Sequence, residues 1–270
     1  MKLTKIDNNN DFDFGKTSEN YARFRDIYPK SMYDKLIEMG VCNKDQHILD
    51  LGSGTSVLPI NLYHTGACFT ATDIAENQIA VGRQLTAQKG MKNISFKVCS
   101  AEDTGFADNS FDAVTAVQCF PYFDAQKAAA EIFRVLKPGG LFCKIMMDWL
   151  PTEDPVIAEM IETVRRYNPA WNPEGFSFSA YRFPDWAKGR FTCEEVISYE
   201  EALTFTKEMW LGRVLTCRGI GASLPPETVA RFEAEYRGIL AKYDDPLRLK
   251  HRIHIELYRA IKPPFSQEDA

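Results

Sequence analysis

Two carboxylates and two glycines carry the first chemical signal in this 270-residue chain. In "HILDLGSGTS", residues 47–56, an apolar run ends at Asp50 and breaks into Gly52, Ser53 and Gly54. Asp73 closes the next apolar run, "CFTATD", 19 residues beyond Gly54. Gly-x-Gly after a strand can cradle a phosphate, or let a charged amino-acid moiety lie against the backbone. A dinucleotide fingerprint needs a third glycine, and Val57 stands there. An acid at position 73 can accept hydrogen bonds from both hydroxyls of a ribose. A carboxylate at position 50 would repel a pyrophosphate and attract an ammonium or sulfonium. A plain strand-to-helix turn, with Asp50 capping the loop, is the alternative reading.

These residues need a scaffold of alternating strands and helices. "HILDL", "CFTATD", "NISFKVC", "FDAVTAV" and "LFCKIMM" read as five strands. Residues 57–64 and 76–89 read as helices, with Pro59 in a first turn and Gly90 as a stop. "AQKAAAEIFRVL" sets Ala129, Ile132, Val135 and Leu136 on one face, and "KPGG" ends that helix. The rhythm predicts an α/β, doubly wound and mostly parallel sheet. Ahead of it, Met32, Tyr33, Leu36 and Ile37 form a helical face, and the first fifteen residues read as loose. Residues 149–193 break the rhythm as an aromatic-rich insert. Its Trp149, Phe176, Phe178, Tyr181, Phe183 and Trp186 are candidates for an apolar pocket or for plain packing. A strand (194–205), two helices (207–217 and 225–243) and a final alternating strand, "RLKHRIHIELYRAI" (248–261), follow.

Four segments in order resemble a known family: "LDLGSGT", "TATDIAENQI", "CSAEDTGFADNSFDAVTAVQCF" and "EIFRVLKPGGLF". They are similar to the motifs of class I S-adenosylmethionine-dependent methyltransferases, nearest the small-molecule, ubiquinone/menaquinone-biosynthesis-like subgroup. The similarity runs from about residue 20 to 148. It implies a Rossmann-like seven-stranded sheet whose last strand is antiparallel. It implies one methyltransferase domain over 29–270, with the insert at 149–193, behind an N-terminal tail and lid segment at 1–28. S-adenosyl-L-methionine would be the cofactor and S-adenosyl-L-homocysteine the product. Gly52, Ser53 and Gly54 would hold the amino-acid end, with Asp50 beside it. Asp73 would take the ribose, Ile74 the adenine face, and Ala101 and Glu102 the adenine edge. Gln118 would sit near the methyl group, with Tyr21 and Arg25 in a lid. The family often has Asp before the Ala-Glu pair, where this chain has Ser100. No histidine occupies "QCFPYFD", so no general base carries over.

The net charge of −5 and "QCFPY" after the fourth strand favour a small-molecule acceptor over nucleic acid. Seven scattered cysteines suit a reducing cytoplasm, and no apolar run would span a membrane. His251 and His254 fall on opposite strand faces, so no metal site is expected. His47, His64, Tyr21, Tyr122, Tyr181 and Glu200 are weak base candidates, and Arg218 could hold an acidic group or cap a helix. A non-catalytic binding protein for the same cofactor, and an NAD-dependent oxidoreductase, are the competing functions.

Overall fold

Burial on both faces makes β1 (His47–Leu51) a near-continuous apolar run, as a central parallel strand requires. The computed structural model describes residues 7, 11–173 and 181–263. Around β1 lie β2 (Cys68–Asp73), β3 (Ile94–Val98), β4 (Phe111–Val117), β5 (Leu136–Trp149), β6 (Phe191–Phe205) and β7 (Leu247–Ala260). The strand order is β3-β2-β1-β4-β5-β7-β6. Strands β1 to β5 pair in parallel and the last strands run antiparallel, as the resemblance implies. The order reverses at β1, where β2 lies on one side and β4 on the other. Ligands of open α/β sheets bind beyond the strand ends at such a point.

The chain divides into two compact units. The larger comprises Tyr28–Met146, Ser179–Ser198 and His254–Ala270, and the smaller Met1–Ile27, Met147–Phe178 and Tyr199–Ile253. The larger holds α2 (Lys30–Glu38), α3 (Val57–Asn61), α4 (Glu76–Gln88) and α5 (Ala125–Val135). On α5 the expected face, Ala129, Ile132 and Val135, is fully buried together with Leu136. Trp186, Phe120, Phe142, Phe191 and Tyr258 complete this core. Strand β5 begins at Leu136, directly after the helix and ahead of the expected start. The register jumps from Phe111–Leu136 to Ala113–Leu141, so "KPGG" forms an irregularity at the strand's start.

The smaller unit holds α1 (Ser18–Phe24), α6 (Pro155–Tyr167), α7 (Lys207–Leu215) and α8 (Pro226–Leu240). Helix α6 lies inside the segment expected to be irregular. Asp154 Oδ1 accepts from the Val156 and Ile157 amides (3.0 and 3.3 Å), Pro155 opens the helix, and Val156, Ile157, Met160, Ile161 and Val164 are buried. The expectation of a loose N-terminus fails at residues 11–17. Phe12 is buried, and Asp13 caps a short 3₁₀ turn, Phe14–Thr17. On β7, His254, Glu256 and Tyr258 are as buried as Ile253, Ile255 and Leu257, so the alternation separates two covered faces.

Candidate functional site

The turn after β1 is built by backbone that only small residues tolerate. Gly52 and Gly54 adopt φ of 58° and 55°. A Cβ on Gly52 would lie 2.7 Å from Cys119 Cβ. The Ser53 amide donates to the Thr72 carbonyl (2.8 Å). The Gly54 amide donates to Asp73 Oδ2 (3.0 Å), and the Ala75 amide to Asp73 Oδ1 (2.8 Å). Both Asp73 oxygens thus accept from backbone amides, with the Ile74 amide also bonded to the carboxylate. Asp50 is 2% exposed. Its Oδ1 accepts from Thr115 Oγ1 (2.6 Å) and its Oδ2 from Ser53 Oγ (2.5 Å). Burial pushes its carboxyl up to about 6 against the pull of these two hydroxyls, and the Asp73 charge adds to the rise. Burial also raises Asp73, while its backbone amides oppose the shift.

The sequence-predicted residues of this unit lie at or just beyond the carboxyl ends of β1, β2, β3 and β4. Ile74 is 58% exposed beside Asp73, and Asp73 pairs in register with Val98. Ala101 is buried, and Glu102 Oε1 accepts from the Asp124 amide (2.9 Å), tying the loop after β3 to the start of α5. Gln118 holds φ of 58°, a strained value for a non-glycine residue, while its amide donates to Ile145 O (2.9 Å). The Cys119 thiol donates to Leu51 O (3.0 Å), and burial raises its pKa well above the ordinary thiol value. Tyr21 and Arg25 belong to the smaller unit. There the Arg25 guanidinium lies 5.0 Å from the Tyr21 ring centroid, and its Nε donates to Thr216 Oγ1 (3.0 Å).

Two contributors escaped the sequence reading. Gly82 on α4 permits a close approach of that helix to Ser56 in the turn. A Cβ there would sit 2.8 Å from Ser56 Oγ and 3.1 Å from Phe96. Cys119 fills the space that Gly52 leaves. Glycine inside an otherwise ordinary helix was the available signal for the first. For the second, nothing local distinguishes a packing cysteine.

Several expectations are corrected. Trp149 packs on Trp171 and Trp210 within the smaller unit, whereas Trp186 packs on Phe120, Phe142 and Tyr258 within the larger. The aromatic insert thus feeds two hydrophobic cores. Phe176 and Phe178 lie outside the described residues. Arg218 is taken up in a buried ion pair, its Nη1 2.6 Å from Asp7 Oδ1. Glu200 is held by Arg252 (2.6 Å), which lowers its pKa. His47 is exposed at the amino end of β1, away from the turn. His64 Nδ1 lies 2.9 Å from Asn61 O. Among the described residues no cluster of metal-ligating side chains occurs, and no helix is long and apolar enough to cross a membrane.

Residues 49–143, which span this turn and its flanking strands, match the family described as a methyltransferase domain. This stretch is a class I S-adenosylmethionine-dependent methyltransferase domain. The chain is 28% identical over 165 residues to a Bacillus subtilis protein described as the uncharacterized methyltransferase YcgJ, covering 58% of this chain and 62% of that one. It is 34% identical over 121 residues to the ubiquinone/menaquinone biosynthesis C-methyltransferase UbiE of Brucella canis, covering 42% of this chain and 44% of that one. The matched region thus spans less than two thirds of either relative. The solved structure of Bacillus subtilis YcgJ superimposes with a TM-score of 0.54 at 20% identity, over 85% of this chain and 98% of that one. At that identity the likeness bears on the fold, and it agrees with the sheet described above.

Proposed function

We propose that the protein transfers the methyl group of S-adenosylmethionine to a small-molecule acceptor and releases S-adenosylhomocysteine. The observation that carries this reading is the pair of carboxylates flanking a turn of small residues, Asp50 beneath it and Asp73 at its edge. The Asp73 carboxylate is assigned the ribose hydroxyls. The exposed Ile74 side chain offers an apolar face for the base. Asp50 places negative charge under the turn, which suits an ammonium and a sulfonium and disfavours a pyrophosphate. When bound, the cofactor supplies a methyl group already activated by positive sulfur. The chain's own contribution is then to hold, align and exclude water. Positioning of this kind lowers barriers by roughly 7–11 kcal/mol.

A small-molecule acceptor is supported by the net charge of −5 and by the acceptor class in the name of the UbiE relatives. All seven cysteines are free, which supports a reducing, cytoplasmic setting. Tyr21 and Arg25 remain candidates for a lid over the cofactor, and Gln118 for the neighbourhood of the methyl group. The test is calorimetric titration with S-adenosylmethionine, S-adenosylhomocysteine and NAD. Saturable binding of the first two alone is expected. A chain that bound only NAD would refute the reading.

A further inference from the structure

One inner residue of β5 carries a charge. In "LFCKIMM", Lys144 stands between Cys143 and Ile145, both fully buried. Its Nζ lies 2.7 Å from Glu256 Oε1 on β7. The same oxygen lies 3.0 Å from His254 Nε2, and the Tyr258 hydroxyl donates to Oε2. Burial acts to raise the Glu256 carboxyl, yet the His254 hydrogen bond, the Lys144 charge and the Tyr258 hydroxyl hold it down at about 2. The Glu256 charge is thus shared among three donors. A buried ion pair adds little stability over apolar side chains of similar volume, so the stability of the fold does not account for a lysine here.

Two observations turn this ammonium toward a ligand. The first is access. The Lys144 side chain is 19% exposed, whereas Glu256 and His254 are 7% and 4% exposed. An ammonium has three donors, and the Glu256 contact occupies one of them. The second is place. The Gln118 amide donates to the carbonyl of Ile145, the next residue along β5 (2.9 Å). Lys144 Nζ lies 5.9 Å from the Phe120 ring centroid, and the Phe120 and Phe123 centroids are 5.8 Å apart. Phe123 Cζ lies 3.5 Å from where a Cβ on Gly52 would stand. Two aromatic rings therefore lead from the Gly52 turn to the ammonium.

We propose that Lys144 anchors the carboxylate of an aromatic acid that serves as the methyl acceptor. This rests on the cofactor reading given above and names the acceptor class for that site. A planar ring lies along Phe120 and Phe123, and its carboxylate ends at Nζ in a charge-assisted hydrogen bond. A neutral amide of the same shape lacks the charge and gains less.

The experiment titrates benzoate and benzamide by calorimetry into the full chain saturated with S-adenosylhomocysteine. It uses the unaltered protein, Lys144→Met, and a double variant that adds Glu256→Gln. The unaltered chain is expected to favour benzoate by at least about ten-fold. Both variants are expected to bring the two probes within about two-fold and to keep S-adenosylhomocysteine binding. The double variant leaves no lone buried charge, so it carries the test where Lys144→Met lowers the melting temperature. Persistence of the preference in the double variant overturns the proposal. So does equal binding of the two probes, or binding of neither, by an unaltered chain that takes up S-adenosylhomocysteine; the cofactor reading then stands. Failure of S-adenosylhomocysteine itself to bind removes both.

Discussion

Asp50 is ionised at neutral pH in a place that disfavours charge. Its carboxyl titrates at about 6 instead of the ordinary 3.8, because burial outweighs the Ser53 and Thr115 hydroxyls. Above pH 6 the group is charged in both folded and unfolded chains, and its full cost is present. As pH falls from 6 toward 4 the folded chain takes up the proton first and the cost is relieved. This group therefore makes the fold more stable on mild acidification, by up to about 3 kcal/mol. Cofactor binding should run the opposite way, since a cationic ligand is attracted to the ionised form. Affinity for S-adenosylhomocysteine is expected to fall as pH drops through 6, and Asp50→Asn to flatten that dependence while raising the urea midpoint at pH 7.5. Unaltered pH dependence in the variant would show that another group is responsible. Asp73 acts differently, because its oxygens face both the turn and the proposed ribose. Asp73→Ala is expected to weaken S-adenosylhomocysteine binding by about 10–100-fold in calorimetry. Tight binding in that variant would remove the ribose role.

At the scale of elements, the turn after β1 depends on space as much as on charge. A Cβ on Gly52 would meet both Cys119 Cβ (2.7 Å) and Cys119 Sγ (2.9 Å), so Gly52→Ala adds strain at positive φ and a collision with that side chain. A loss of more than about 1 kcal/mol is expected in urea denaturation. Cys119→Ala removes the sulfur contact but leaves the closer Cβ contact, so it should recover less than Cys119→Gly. Rescue by Cys119→Ala as full as by Cys119→Gly would show that the sulfur contact dominates. Strands β1, β2, β4 and the central part of β5 were legible because parallel strands covered on both faces read as apolar runs bounded by Gly, Pro and Asp. The Asp50–Gly54 turn and Asp73 were legible for the same local reason. Helix α6 was hidden by the tryptophans and prolines around it, although "DPVIAEM" holds an N-cap and an apolar stripe. Gly82 was hidden because its role comes from Ser56 and Phe96, both distant in sequence. The buried Glu256 was hidden because its partners, Lys144 (2.7 Å) and His254 (3.0 Å), lie on β5 and two residues back on β7. Alternation along a strand reports two faces, and it cannot report whether the polar one is covered.

At the scale of the whole chain, the smaller unit is assembled from three separated segments, and one buried ion pair touches all of them. Asp7 comes from the first segment, Asn172 from the second and Arg218 from the third. Asp7 Oδ1 meets Arg218 Nη1 (2.6 Å) and accepts from the Asn172 amide (2.9 Å), while Arg218 Nη2 donates to the Asn172 carbonyl (3.0 Å). Hydrophobic burial would gather such segments without fixing their register. A closed set of directional contacts does fix it, since each group loses its partner if any segment slips. Removing one charge leaves the other buried and uncompensated, which costs about 3–5 kcal/mol. Asp7→Ala is therefore expected to lower the unfolding midpoint substantially, and adding Arg218→Met to restore most of the loss, because no lone charge then remains. Urea denaturation of the two single variants and the double variant closes the cycle. Additive losses would show that the pair contributes no coupling, and the three segments would then be held by their apolar contacts alone.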